Sequence, residues 1–364
     1  MISGQDPAPG ARTKAETPMP RLPHPTRRGI LAAGGALGLT AALAACGDEK
    51  ADKKGSGSKG GNGGAWSFKD DRGQTAKKDS TPKNIVAFTG VAAALYDYGI
   101  EVTGVFGPTR TKDGKPDVQA GDMDISKLTI LGNAWDQFNI EKYVGLQPDV
   151  LISTMFDDKG TLWYVPETSK DKILKLAPSV GVSVYDRQMT KPLERLLDLA
   201  ESLGADVKAD KVVKAKKRFE AAAERLRKAA KSRPEIRVLV GSASADVFYV
   251  SGSNLSADLE YFKALGVNLV EPPAKALKAS GGWFENLSWE NVDQYKADVI
   301  MMDNRTSALQ PEGLEKQKPT WGKLPAVKAG QVIPRVTEPI FSYAKCAPIL
   351  EDLAEAIEKA KKVA

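Results

Sequence analysis

A repeated segment constrains this chain more than any other feature of its sequence. Asn139-Ile140-Glu141 leads on to Gln147-Pro148-Asp149-Val150-Leu151-Ile152, and Ser288-Trp289-Glu290 leads on to Lys296-Ala297-Asp298-Val299-Ile300-Met301. In each copy a helix-capping residue stands two places before a glutamate, and an aspartate opening an apolar strand stands eight places after it. Asn and Ser accept hydrogen bonds from the free N–H groups of a first helical turn, and a carboxylate in that turn suits the helix dipole. Aromatic residues precede both copies, Trp135 and Phe138 in one, Trp283 and Phe284 in the other. Two ordinary helix starts would account for either glutamate alone. The equal spacing points to a paired role for Glu141 and Glu290.

A fold carrying this repeat must take the same helix-to-strand step twice, and the rest of the sequence divides accordingly. Apolar runs at Ile85–Phe88, Val102–Phe106, Leu128–Leu131, Val150–Ser153 and Val182–Tyr185 alternate with helical stretches. A second series follows at Ile236–Val240, Val247–Val250, Val299–Met302 and Val332–Val336. Strands alternating with helices predict an α/β fold of two Rossmann-like lobes with mainly parallel sheets. Between the two series lie Lys191–Leu203 and Lys208–Lys231. The latter repeats apolar residues at Val212, Ala215, Phe219, Ala222, Leu226 and Ala229, an amphipathic stripe whose basic side is a solvated face. Asp70-Asp71-Arg72-Gly73 reads as a hairpin turn near the start of the ordered part.

Residues 66 to 361 resemble the periplasmic-binding proteins for ferric siderophores and cobalamin. The resemblance rests on Trp66-Ser67-Phe68-Lys69-Asp70-Asp71-Arg72-Gly73 followed by Pro82-Lys83-Asn84-Ile85-Val86, on Asn139–Ile152 and on Ser288–Met301. It closes with Trp321-Gly322-Lys323-Leu324-Pro325-Ala326-Val327-Lys328-Ala329-Gly330-Gln331-Val332. It implies two lobes, 65–188 and 206–364, bridged by one helix within 189–205, namely Lys191–Leu203, with Lys208–Lys231 belonging to the second lobe. It also implies that Glu141 and Glu290 are lobe-tip carboxylates that dock on arginines of a transporter's membrane subunits.

In open α/β sheets ligands bind beyond the carboxyl ends of the strands. In the first lobe those positions are Thr89-Gly90, Arg110, Trp135, Phe156, Trp163, Tyr164, Tyr185 and Arg187; in the second they are Tyr249, Trp283, Phe284, Arg305, Phe341 and Tyr343. Aromatic walls suit a large, partly apolar chelate, and arginine can donate hydrogen bonds to hydroxamate or catecholate oxygens. Each aromatic taken singly could equally be packing, and Trp66 and Trp321 are expected to be structural. The segment Phe156-Asp157-Asp158-Lys159-Gly160-Thr161-Leu162-Trp163-Tyr164 has the composition of a loop at a strand end, which favours Trp163 and Tyr164 as ligand contacts.

The amino-terminal region reads as an export signal. Arg27 and Arg28 stand just ahead of an uncharged stretch, Gly29 to Ala45, that is shorter and richer in glycine than a membrane-spanning helix. The paired arginines resemble a twin-arginine export signal, with ordinary Sec export the alternative. Leu43-Ala44-Ala45-Cys46-Gly47 looks like the lipobox of bacterial lipoproteins, which implies acylation of Cys46 and cleavage before it. Residues 1–45 are thus expected to be a signal peptide and 46–64, rich in Gly, Ser, Lys and Asp, a flexible tether. The mature chain would be lipid-anchored on the outer face of the cell membrane.

Charge and composition narrow the chemistry. The chain of 364 residues has a formal charge of +6, and five Lys or Arg against two acids within residues 1–45 carry half of it. The remainder is too mild to argue for nucleic acid. The single histidine, His24, lies in the signal, so the mature chain has no means of Ser-His or Cys-His catalysis and no histidine-ligated metal. Gly55-Ser56-Gly57-Ser58-Lys59-Gly60 spells a dinucleotide fingerprint but follows no strand and opens no helix. Cys346, left without a partner once Cys46 is acylated, is expected to be a buried, inert thiol.

The function expected from these observations is capture of a ferric siderophore, as a monomer, for ABC permease subunits. No cofactor is called for, iron entering only inside its chelate. Cobalamin capture on the same fold is the runner-up, and a surface receptor or sensor without transport comes from a different class. An esterase that opens the siderophore is disfavoured by the missing histidine.

Overall fold

The computed structural model describes residues 64–364; Arg27, Arg28, Cys46 and nearly all of the tether lie outside them. The described chain opens with a hairpin, β1 (Trp66–Lys69) and β2 (Thr75–Lys78). The first lobe follows as β3 (Ile85–Phe88), α1 (Thr89–Asp97), β4 (Gly104–Phe106), β5 (Thr129–Gly132), α2 (Ile140–Gly145), β6 (Val150–Met155), α3 (Lys170–Leu174) and β7 (Ser179–Ser183). Two helices, α4 (Thr190–Ser202) and α5 (Asp210–Ser232), lead onward. The second lobe holds β8 (Val238–Ala243), β9 (Val247–Ser251), α6 (Ala257–Ala264), α7 (Ala274–Leu277), β10 (Phe284–Ser288) and β11 (Val299–Asp303), then α8 (Pro311–Gln317), α9 (Pro325–Lys328), β12 (Val332–Arg335) and α10 (Tyr343–Lys359).

The first sheet runs β5-β4-β3-β6-β7, all parallel. Its order reverses at β3, which leaves a crevice at the carboxyl ends where the chain diverges to either side. The second sheet runs β10-β9-β8-β11-β12, with β8, β11 and β12 parallel and β9 antiparallel to both neighbours. The sequence gives no sign of β10. Phe-Glu-Asn-Leu-Ser alternates sides as a strand does, but it carries too few apolar residues to stand out, and only its pairing along β9 makes it a strand.

The repeated segment occupies equivalent places in the two lobes. Asp149 N donates to Asn84 O at 2.8 Å, and its carboxylate accepts from Lys83 N and Asn84 N, both at 2.9 Å. Asp298 N likewise donates to Arg237 O at 2.8 Å, and its carboxylate accepts from Arg237 N at 2.9 Å. Each aspartate therefore clamps the residue that enters the neighbouring central strand, β3 or β8. The helix starts diverge. Asn139 caps α2 by accepting from Lys142 N at 2.9 Å. Ser288 caps nothing with its side chain, and the helix expected after it is a single three-residue 3-10 turn, Trp289–Asn291.

The helix expected to bridge the lobes, Lys191–Leu203, lies mainly on the first. As α4 it buries Pro192, Leu193, Leu196 and Leu199 against α1, β1 and β7, and Trp66 Nε1 donates to Ser202 Oγ near its end. The long span belongs to α5. Lys211, in its first turn, reaches Gly99 beyond the end of α1; Phe219 stacks on Tyr261 of α6; and its last turn leads into β8. Twenty-three residues make a helix about 34 Å long, enough to run the height of both lobes. Parallel to it lies α10, joined by Arg218–Glu351 and Arg225–Glu358 pairs seven residues apart on each helix. Periodicity marks both α4 and α5 as amphipathic, and it cannot tell which surface each covers.

One apolar core runs from the first sheet through α4, α5 and α10 to one face of the second sheet. A smaller core on the other face gathers around Phe248, Trp289 and the fully buried Trp321. Cys346 lies inside α10 with its thiol on Ile340 O, and burial pushes its pKa up.

Candidate functional site

The carboxyl ends of β6 and β7 and of the parallel strands β8, β11 and β12 face a cavity of about 460 Å³, which the amino end of β10 also borders. From the first lobe Phe156, Trp163 and Val184 line it, and the second lobe supplies the rest of the wall. Phe156 directly follows β6. The loop after it turns on Asp157, whose Oδ1 accepts from Lys159 N and Thr161 N, and it returns to the strand through Trp163 N to Thr154 O and Ser153 Oγ to Trp163 O. Two anchored ends hold the Trp163 ring at the cavity. Its Nε1 is buried without a hydrogen-bond partner among the described residues.

The aromatic rings form a chain across the cavity. Trp135 meets Trp163 at 4.8 Å between centroids, Trp163 meets Phe156 at 4.7 Å, and Phe156 meets Trp283 of the second lobe at 6.4 Å. Tyr249 and Phe284 extend the wall at 5.1 Å from one another. Tyr164 stacks on Phe88 at 5.5 Å, with its backbone in the left-handed region at φ +60°. Gly107 makes room behind this stack, since a Cβ there would come within 2.6 Å of the Phe88 ring.

Charge sits on the second-lobe side, and it is paired. The Arg305 Nε and Nη2 groups donate to Asp303, and Nη1 donates to Glu338 Oε1 at 2.6 Å. Arg335 meets Asp258 through two bonds of 2.9 and 3.1 Å and donates to Ser251 Oγ at 3.1 Å. Burial pushes the Asp303 carboxyl up, but the bonds and charge of Arg305 outweigh it and hold the group below the usual carboxylate range. Three carboxylates thus face two guanidinium groups, and both cations are already matched.

Of the sequence-derived candidates, Phe156, Trp163, Tyr249, Trp283, Phe284, Arg305 and Phe341 line the cavity. Trp135 and Tyr164 stand behind Trp163 as a second rank, with Trp135 46% exposed. Tyr185 packs on Trp283. Arg187 and Tyr343 are elsewhere. Arg187 turns back to Tyr185 O and Asp71, and Tyr343 opens α10 packed on Phe219 of α5. Thr89 is buried on Phe106 O and Thr109, and Arg110 lies exposed in the loop held by Asn133. Asp258, Asp303, Arg335 and Glu338 were missed. A charged residue ending an apolar strand, as Asp303 and Arg335 do, was the available signal.

Glu141 and Glu290 are both exposed. One follows β5 and the other β10, the edge strands that hold the same place in the two sheet orders.

A family model described as periplasmic binding protein matches residues 85–334. The chain is 69% identical to DesE, a ferric-siderophore receptor protein from Streptomyces coelicolor, covering 82% of this chain and all of that one, with a TM-score of 0.81. The siderophore periplasmic binding protein from the fuscachelin gene cluster of Thermobifida fusca is 24% identical over 76% of this chain and 96% of its own, with a TM-score of 0.55. Staphylococcus aureus SirA, solved with staphyloferrin B, is 19% identical over 81% and 99%, with a TM-score of 0.57. These last two share the fold. No curated protein sequence matches the chain. Two α/β lobes around an interlobe cavity, a family model spanning most of both, and a full-length relative of high identity together place this chain in the periplasmic binding protein family.

Proposed function

We propose that this chain captures a ferric siderophore outside the cell and delivers it to the permease of an ABC importer. The observation that carries this is the aromatic wall drawn from both lobes, Phe156 and Trp163 from the first and Tyr249, Trp283 and Phe284 from the second. High identity to DesE, a ferric-siderophore receptor protein, supports it. The cavity carboxylates are engaged by Arg305 and Arg335, so they are poor ligands for bare iron and the ion is best taken already chelated. Because neither guanidinium is free of a carboxylate, the site suits a neutral or cationic chelate such as a ferric tris-hydroxamate. A ferric tris-catecholate is a polyanion and would meet no unmatched positive charge. The chain binds and releases its ligand; no catalytic step is part of this proposal.

Anchoring through an acylated Cys46, after export under the signal containing Arg27 and Arg28, would hold the protein near its permease. Two acyl chains suffice for stable attachment where one does not. Docking through Glu141 and Glu290 is supported by their exposure at matching edges of the two lobes.

A tryptophan-fluorescence titration tests the ligand. Ferric tris-hydroxamates, a ferric tris-catecholate, ferric citrate, cobalamin and a ferric salt form the panel. Tightest binding by a hydroxamate chelate is expected. Binding of cobalamin alone, or of none of the chelates, would overturn the proposal, and preference for the catecholate would overturn the charge argument within it.

A further inference from the structure

The two flanks of the cavity are built differently. Past β7, main chain meets main chain: Tyr185 and Ser256 form an antiparallel bridge, and Met189 N donates to Ala257 O at 2.8 Å. On the opposite side of the first sheet, in the loop between β4 and β5, side chains reach across instead. Thr306 Oγ1 donates to Asp117 Oδ2 at 3.0 Å, and Gln119 Nε2 donates to Glu338 Oε2 at 2.9 Å. Asp117 and Gln119 are 5% and 4% exposed, so first-lobe polar groups have been taken out of water to make these contacts.

The second of these bonds connects to the ligand wall. Glu338 offers one oxygen to Gln119 and the other to Arg305. A guanidinium carries five N–H groups. Asp303 takes those on Nε and Nη2 and Glu338 takes one on Nη1, which leaves one on each Nη for a ligand. A ligand bonded there is tied to the first lobe through Glu338 and Gln119 without touching that lobe at this point.

The same corner is short of partners. Gln119 Oε1, Asn304 Oδ1 and Thr337 Oγ1 are all buried there without a hydrogen bond from the described residues. Unmet buried polar groups work against the closed contact, so this flank can part, whereas the backbone flank has its groups satisfied.

We propose that Asp117, Gln119, Thr306 and Glu338 form an interlobe latch, with Glu338 the positioning residue that couples ligand contact at Arg305 to lobe separation. The ligand arm of the test rests on the siderophore proposal; the latch itself does not. Gln119→Ala/Thr306→Val removes the two donors of the latch and leaves Arg305, Asp303 and Glu338 in place, together with the Ser342–Asp97 and Lys345–Asp122 contacts at the start of α10.

In stopped-flow fluorescence with a ferric tris-hydroxamate, this variant should release ligand about tenfold faster, as the loss of two side-chain hydrogen bonds implies, with an unchanged melting curve. Glu338→Ala should behave alike. Glu338→Gln should stay near wild type, because its amide can accept from Arg305 and donate to the vacant Gln119 Oε1 once that amide turns. Hydrogen exchange on the ligand-free protein gives the independent reading. Amides of 115–121 and 303–308 should exchange faster in the double variant while 185–189 and 255–257 stay protected. If wild type binds no chelate, the siderophore proposal falls and exchange alone judges the latch. Unchanged exchange in the double variant, or Glu338→Gln as impaired as Glu338→Ala, would overturn it.

Discussion

Asp258→Ala removes one half of the ion pair beneath the cavity. Arg335 is 4% exposed and Asp258 2%, and the carboxylate supplies two of the three side-chain bonds that the guanidinium makes. Its loss leaves a cation at the end of β12 with Ser251 as its remaining side-chain partner. Breaking a pair buried to this degree typically costs about 3–5 kcal/mol, because the charge left behind is neither hydrated nor matched. Across a domain of this size each kcal/mol lowers the melting temperature by roughly 2–4 °C, so a fall on the order of 10 °C is expected. Asp258→Leu/Arg335→Met removes both charges and should recover most of the loss, since apolar side chains of similar volume replace a desolvated pair at little net cost. Urea denaturation followed by circular dichroism and by tryptophan fluorescence measures both variants, with coincident transitions as the condition for comparing them. A loss below about 1 kcal/mol in the single variant would mean that cavity water hydrates the guanidinium. A double variant no more stable than the single would place the loss in packing at the start of α6 instead of in charge.

Trp163→Ala should weaken chelate binding by roughly 2 kcal/mol or more, as loss of a central aromatic anchor commonly does, while Trp135→Ala, one ring further from the cavity, should cost less; equal losses would contradict the ranking of the two rings. Glu141→Ala/Glu290→Ala should bind ligand with wild-type affinity and an unaltered melting curve yet fail to support iron uptake in cells, and undiminished uptake would leave them as two exposed carboxylates without a docking role. Cys46→Ala should release the protein from membranes or leave it as precursor. A variant cleaved before residue 46 that still partitions wholly with membranes would contradict lipid anchoring.

The sequence by itself determined the lobes. Alternating apolar runs bury only as strands between helices, and the Asn139 and Ser288 copies fixed that the aspartate clamp on a central strand occurs twice, on β3 and on β8, although only the first copy keeps its helix. It also marked the first-lobe part of the aromatic wall, because position after a buried strand is a local property and Phe156 and the loop carrying Trp163 have it, whereas Trp283 and Phe284 reach the cavity from the amino end of β10. Other features waited for tertiary structure. Whether α4 or α5 spans the lobes depends on which surface each apolar stripe meets, and the stripes look alike along the chain. The strand β10 exists only through its pairing with β9. Arg187 and Tyr343 share the local signature of cleft residues, but Asp71 and Phe219 hold them elsewhere. The charge of the cavity was the least legible of all. Arg305 alone suggests a site for anions; Asp303, two residues before it, and Glu338, thirty-three residues after it, convert it into a matched cluster. Periodicity and strand ends are written in neighbouring residues, whereas helix docking, edge pairing and the matching of Arg305 to Glu338 and of Arg335 to Asp258 are made between residues that only folding brings together.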